Sequence, residues 1–196
     1  MTSMIHSKPS YLPLAWDMEG RVHLLAAHGD GGECLLRLLA AAPDAPISVR
    51  YAPDADAADH SAGLARALSK HCSSFDSVAA LFDGLRADLA RARMGLRLYL
   101  AGSEQFLWSA TRIAADFGLC ADEIRREHFG SSARSVYCVH CKTITSQVST
   151  NIMTCPGCAR SLLVRDHYSA RLAAYMGFQV DAEVPGTLPP IESIYA

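Results

Sequence analysis

Apolar and polar positions follow two rhythms along this chain, and the rhythm changes near residue 130. Arg21-Val-His-Leu-Leu-Ala-Ala27 is almost continuously apolar, the pattern of a strand buried on both faces. The glycine-rich loop His28-Gly-Asp-Gly-Gly32 follows at once, and Glu33 to Ala40 takes up helical spacing. Ile47 to Tyr51 reads as a second strand, Ser61 to Lys70 as a short helix and His71 to Phe75 as a candidate edge strand. Val78, Leu81, Phe82, Leu85 and Leu89 form the stripe of an amphipathic helix, with Asp83, Arg86, Asp88 and Arg91 off that stripe and Gly95 as its stop. Leu96 to Ala101 is the next strand. Gly102-Ser103 opens a helix with Ser103 as its N-cap and Phe106, Leu107, Ala110, Ile113, Ala114 and Phe117 on its apolar side. Gly118 ends that helix, and Asp122 to Phe129 reads as a last strand. Residues 1–20 carry no period and read as an irregular leader. Strictly alternating strands and helices predict an α/β domain over residues 21–131, with a parallel sheet covered by helices on both faces.

Beyond residue 133 the strand signals are short and rich in β-branched residues, and the cysteines become regular. Cys138 and Cys141 form one CxxC pair, Cys155 and Cys158 another, separated by thirteen residues. Each CxxC turn brings two sulfurs to one side of the backbone, and two facing turns make a tetrahedral tetrathiolate site, with zinc preferred over iron. Pro156 fixes one dihedral of the second turn and Gly157 is expected at positive φ; Ser149 to Asn151 is expected to be a hairpin turn. This predicts a zinc ribbon over residues 134–166, with Ser161 to Asp166 as its third strand and His140 pointing away from the metal. Residues 167–196 are expected to form a short helix, His167 to Met176, and an extended apolar arm that docks on a partner through Ile191, Ile194 and Tyr195.

Composition narrows the function. The 196 residues carry a formal net charge of −2, which leaves no strong global field for nucleic acid or an anionic membrane. No apolar run reaches transmembrane length and no secretory h-region stands at the start, so a cytoplasmic protein is expected. Cys34, Cys72 and Cys120 are scattered singly and read as small core residues in a reducing compartment. The chain holds no GxSxG, no HExxH and no paired-carboxylate pattern, and a zinc closed by four thiolates has no position for water. No self-contained catalytic site is expected. The strand, glycine loop and helix at 21–40 match the opening of a dinucleotide-binding unit, with Gly29, Gly31, Gly32 and, after the strand Leu96 to Ala101, Gly102 as candidate cofactor contacts; a tight turn without ligand remains the alternative.

Leu98-Tyr-Leu-Ala-Gly-Ser-Glu-Gln-Phe-Leu107, the following helix, Phe117-Gly and Ile124-Arg-Arg-Glu-His-Phe129 resemble the end of the nucleotide-binding domain of ferredoxin–NADP-type reductases. Ala101 stands where that family places a cysteine near the nicotinamide, and Ser103 where it places proline; Glu33 and Cys34 replace the usual Thr-Pro pair, and no arginine motif for a 2′-phosphate follows Tyr51. The resemblance therefore implies a degenerate domain that keeps the fold with little or no dinucleotide binding. Arg126-Glu-His-Phe-Gly-Ser-Ser-Ala-Arg-Ser-Val-Tyr-Cys-Val-His-Cys-Lys-Thr143 and Thr154-Cys-Pro-Gly-Cys158 extend the likeness: the chain resembles the small, DmmA-type subunits of bacterial dimethylamine monooxygenases. That resemblance implies an accessory chain in an enzyme that oxidises dimethylamine with O2 and NADPH to methylamine and formaldehyde. It implies a haem-containing catalytic subunit and a flavin/iron–sulfur reductase subunit as partners, with haem, FMN and the 2Fe-2S cluster bound there. Two other readings stay open. One is a rubredoxin-like iron carrier, against which Lys142 stands where rubredoxins usually have glycine. The other is a zinc-ribbon nucleic-acid binder, which has Arg134, Lys142, Arg160, Arg165 and Arg171 but no aromatic platform among them.

Overall fold

The computed structural model describes residues 8–68 and 71–195; the last two residues of the helix expected over 61–70 lie outside that range, as do residues 1–7 of the leader and Ala196. The chain divides into two compact units, one covering residues 11–130 and the other built from residues 131–195 with the stretch ending at Ser10.

The first unit has five parallel strands, β1 (Val22–His28), β2 (Ile47–Ala52), β3 (Cys72–Ser74), β4 (Leu96–Gly102) and β5 (Ile124–His128), in the order β3-β2-β1-β4-β5. Helices α1 (Gly31–Leu39) and α2 (Ser61–Ala67) cover one face, α3 (Val78–Leu89) and α4 (Glu104–Asp116) the other. The strand alternation shows why both sides are apolar. Leu25, Ala27, Val49 and Tyr51 pack under α1 and α2, and Leu24, Ala26, Leu98 and Leu100 under α3 and α4. Ser103 caps α4 by accepting a hydrogen bond from the Phe106 N–H, and Ser77 caps α3 in the same way from Ala80. Helix α3 stops at Leu89; Gly95, at φ 94°, instead turns the chain into β4. A 3-10 turn, Ala121–Glu123, precedes β5.

The irregular segment before β1 belongs to this core. Leu14 is buried and its N–H donates to Glu127 Oε2 at 2.7 Å, while the same carboxylate takes Arg37 of α1. Asp17 accepts from Arg97 Nε (2.7 Å) and Arg125 Nη2 (2.9 Å), and its own N–H donates to the Tyr99 hydroxyl. Trp16 meets His23 and Tyr99 edge-on, each at 5.1 Å.

The second unit is a five-stranded mixed sheet of β6 (Arg134–Cys138), β7 (Ile144–Val148), β8 (Ile152–Thr154), β9 (Ser161–Ser169) and β10 (Ala174–Gln179), in the order β7-β6-β10-β9-β8. Two expectations are corrected here. Strands β7 and β8 do not pair: residues 149–151 lead from one edge of the sheet to the other and are no hairpin turn. The expected helix over 167–176 is a hairpin. β9 runs on to Ser169, Ala173 turns the chain at φ 51°, and β10 returns between β9 and β6. The spacing of Tyr168, Leu172 and Tyr175 or Met176, with Gly177 after them, suggested a helix. Packing of Tyr175 on Tyr168, with ring centroids 4.9 Å apart, and the two-sided pairing of β10 override that spacing.

The tail is also not free. Tyr195 is 9% exposed and lies on the guanidinium of Arg134, which is stacked between its ring (3.7 Å) and that of Tyr175 (3.9 Å). Backbone bonds from Asn151 to Glu192 and from Ile194 and Tyr195 to Ser149 hold the last residues. The expectation that Tyr195 buries itself in a partner is therefore corrected: it is used within the chain, and Ile191 and Ile194 stay exposed.

Candidate metal centre

Both CxxC turns have one construction. The Cys138 N–H donates to Thr143 O and its carbonyl accepts from Lys142 N; the Cys155 N–H donates to Arg160 O and its carbonyl accepts from Ala159 N, all at 2.8 to 2.9 Å. Each turn closes through a left-handed residue directly after its second cysteine, Lys142 at φ 68° and Ala159 at φ 57°. Gly157, expected to supply that conformation, does not. A Cβ there would run into Thr143 Oγ1 and stand 3.1 Å from Cys141 Sγ, so the glycine is a matter of space beside the sulfurs.

The four sulfurs lie within 4.8 Å of one another, Cys138 and Cys158 at 3.8 Å and Cys141 and Cys155 at 3.5 Å. Disulfides would bring them to about 2 Å. Four sulfurs about 2.3 Å from a common tetrahedral centre stand roughly 3.8 Å apart, so the donor set fits one tetrahedral thiophilic ion. Cys138 and Cys155 are buried against Leu162, while Cys141 and Cys158 are half-buried. Hydrogen bonding from Thr143, whose Oγ1 is 3.3 Å from the sulfur, pulls the Cys141 thiol down to about 6, and burial pushes that of Cys155 up to about 11. His140 faces away and is exposed, its Nδ1 2.7 Å from Arg160 Nη1. Among the single cysteines, Cys34 is buried and raised to about 12 mainly by that burial, Cys72 is half-buried, and Cys120 is exposed, which departs from its expected place in the core.

The glycine loop sits at the carboxyl end of β1, beside β4, where the strand order reverses. Its glycines answer to the protein's own atoms. A Cβ on Gly31 would collide with the Ala101 carbonyl, one on Gly32 would stand 2.6 Å from His60 Cβ and 2.9 Å from its ring, and one on Gly29 (φ 54°) would stand 3.1 Å from Asp54 Cβ. Gly102 (φ 145°) passes 3.1 Å from the His28 carbonyl by the same measure. Residues 54–58 lie over the turn, with Ala58 N donating to Asp30 Oδ1, Asp54 Oδ2 3.8 Å from His28 Nε2 and the Tyr51 hydroxyl donating to Gly29 O. A pyrophosphate at the start of α1 would meet the carboxylates of Asp30 and Asp54, the opposite of the charge an anion site needs. The Asp-Ala-Asp run after Pro53 was the sequence signal for this roof.

Among the described residues no helix is long and apolar enough to cross a membrane. A curated relative, the heme-dependent oxidative N-demethylase delta subunit of Ectopseudomonas mendocina (strain ymp), is 44% identical over 111 residues, which cover 57% of this chain and 63% of the relative, so the match spans less than two thirds of that protein. Among solved structures, phthalate dioxygenase reductase superposes at a TM-score of 0.48 with 14% identity, over 68% of this chain and 46% of that one. An intact type IV self-sufficient cytochrome P450 monooxygenase does so at 0.47 with 16% identity, over 67% and 19%. Residues 3–124 match the model of the dimethylamine monooxygenase subunit DmmA-like N-terminal domain and residues 135–178 that of the DmmA-like C-terminal domain; the chain belongs to the DmmA-like family of dimethylamine monooxygenase subunits.

Proposed function

We propose that this chain is an accessory, non-catalytic subunit of a haem-dependent oxidative N-demethylase acting on dimethylamine. In this reading it supports assembly and electron transfer between a haem-containing subunit and an NADPH-dependent flavin/iron–sulfur reductase subunit. The observation that carries it is the state of the glycine loop. A phosphate turn overlaid by residues 54–58, with Asp30 and Asp54 beside it, supports a domain that keeps this architecture without binding a dinucleotide. The family's description and the N-demethylase relative support this reaction.

The four thiolates of Cys138, Cys141, Cys155 and Cys158 hold zinc in this reading. Zinc closed by four sulfurs offers no open position and no redox change, so it contributes rigidity and folding energy to the second unit. Gly29, Gly31, Gly32 and Gly102 are then vestigial, kept for packing. Elemental analysis of the purified chain should give one zinc per chain and no visible absorption, and calorimetric titration with NADPH and NADH should show no micromolar binding. Iron with ferric-thiolate absorption would move the reading to an electron carrier; saturation at low micromolar NADPH would restore the glycines as cofactor contacts.

A further inference from the structure

The sheet of the second unit has two faces of different character. Arg134, Val136, Cys138, Leu162, Val164 and Tyr175 point to the side that holds the sulfurs and the tail. The other side follows from register. Ile144 is opposite Tyr137, Tyr137 is beside Met176, and Phe178 is opposite Leu163. An apolar strip thus crosses β7, β6, β10 and β9, and Val139 extends it at the first CxxC turn. Ile144 and Phe178 are each 46% exposed and Val139 39%, while Tyr137, Met176 and Leu163 are half-buried. A contiguous row of this kind differs from scattered surface apolar residues and marks an interaction surface.

The charges around it say what fits. Residues 131–180 carry five basic side chains against one acid, and three further acids of the same unit, Asp181, Glu183 and Glu192, follow β10. The acid, Asp166, is taken by Arg134 and Lys8 on the sulfur side. Arg165, which alternates with Leu163 onto the apolar side, and Lys142, beside Ile144, are exposed and make no ion pair among the described residues. A second copy would bring the same basic rim against itself. We propose that this face is a docking surface for another protein subunit that presents an apolar patch bordered by carboxylates. The occupant deepens the assembly role given above and rests on it: it is a subunit of the same N-demethylase complex. Apolar contact at the centre gives affinity, and Lys142 and Arg165 give orientation and encounter rate.

The test uses the full-length chain co-expressed with the haem-containing and reductase subunits. Two variants separate the contributions: Ile144→Glu with Phe178→Glu, and Lys142→Glu with Arg165→Glu. Metal content per chain and circular dichroism verify that each variant keeps its fold. Affinity of the complex should fall by roughly tenfold or more for the apolar pair. For the charge pair, association should slow and lose its salt dependence. Wild-type chain that co-purifies with neither subunit overturns the assembly reading and this surface with it. Wild type that assembles while both folded variants assemble equally overturns the surface alone. A wild-type chain that dimerises through this face, with dimers lost in Ile144→Glu/Phe178→Glu, contradicts the proposed occupant, as does binding of a fluorescent single-stranded oligonucleotide abolished by Lys142→Glu/Arg165→Glu.

Discussion

The four thiolates show most clearly how much a single residue does. The second unit is small, and much of its core is the sulfur cluster and Leu162. Cys155→Ser removes a buried ligand, so metal-coupled folding energy on the order of 10 kcal/mol is lost with it. The variant should purify without stoichiometric metal. It should lose the thermal transition of residues 131–195, while the unit at 11–130, with its own core, still melts cooperatively in calorimetry. Metal binding displaces thiol protons, so affinity falls with falling pH. Cys155, raised to about 11, gives up a proton throughout the neutral range, and below about 6 Cys141 must do so as well, which steepens the loss. Asp17 offers a test of opposite location. The Arg97 guanidinium holds its carboxyl below the ordinary carboxylate value, so the stability it adds is complete above about pH 4 and vanishes as pH drops through the lower folded value. Asp17→Asn should therefore lower the melting temperature at pH 7 and lower it progressively less as pH falls below about 4. The clustering of the four cysteines was legible from spacing alone. The left-handed Lys142 and Ala159 were not, because neither residue type advertises that conformation; only their shared place after each CxxC pair does.

Among the elements, the α/β half followed its sequence closely, since buried parallel strands and amphipathic helices impose long, regular patterns. Five strands, four helices and the Ser103 cap stand close to where hydrophobic period places them. The β9–β10 hairpin escapes the sequence because Tyr168, Leu172 and Tyr175 fall at helical spacing, while the β6 partner that fixes β10 as a strand is far off in sequence. The tail escaped for a similar reason: the sandwich of Arg134 between Tyr175 and Tyr195 joins positions far apart in sequence, with no local signal. Tyr195→Ala should remove a cation–π contact of about 0.5–2 kcal/mol and release residues 190–195. Hydrogen exchange at Ile194 and Tyr195, whose N–H groups bond Ser149 O, should then rise to solvent-like rates without change in metal content. Unchanged protection would mean that the backbone bonds alone hold the tail.

For the whole molecule, the features argue in one direction. In the proposed reading, an α/β domain with an overlaid glycine turn and a unit with a four-cysteine cluster serve to hold shape and offer surfaces. The measurement that tests this most directly is omission and add-back. The haem and reductase subunits are produced without this chain, and formaldehyde release from dimethylamine with NADPH and O2 is followed before and after purified chain is added. The account predicts little turnover without the chain and recovery at one chain per complex. Recovery should come from colourless, zinc-loaded protein that does not bind NADPH. Full turnover in its absence, or recovery only with an iron-loaded chain, would contradict it.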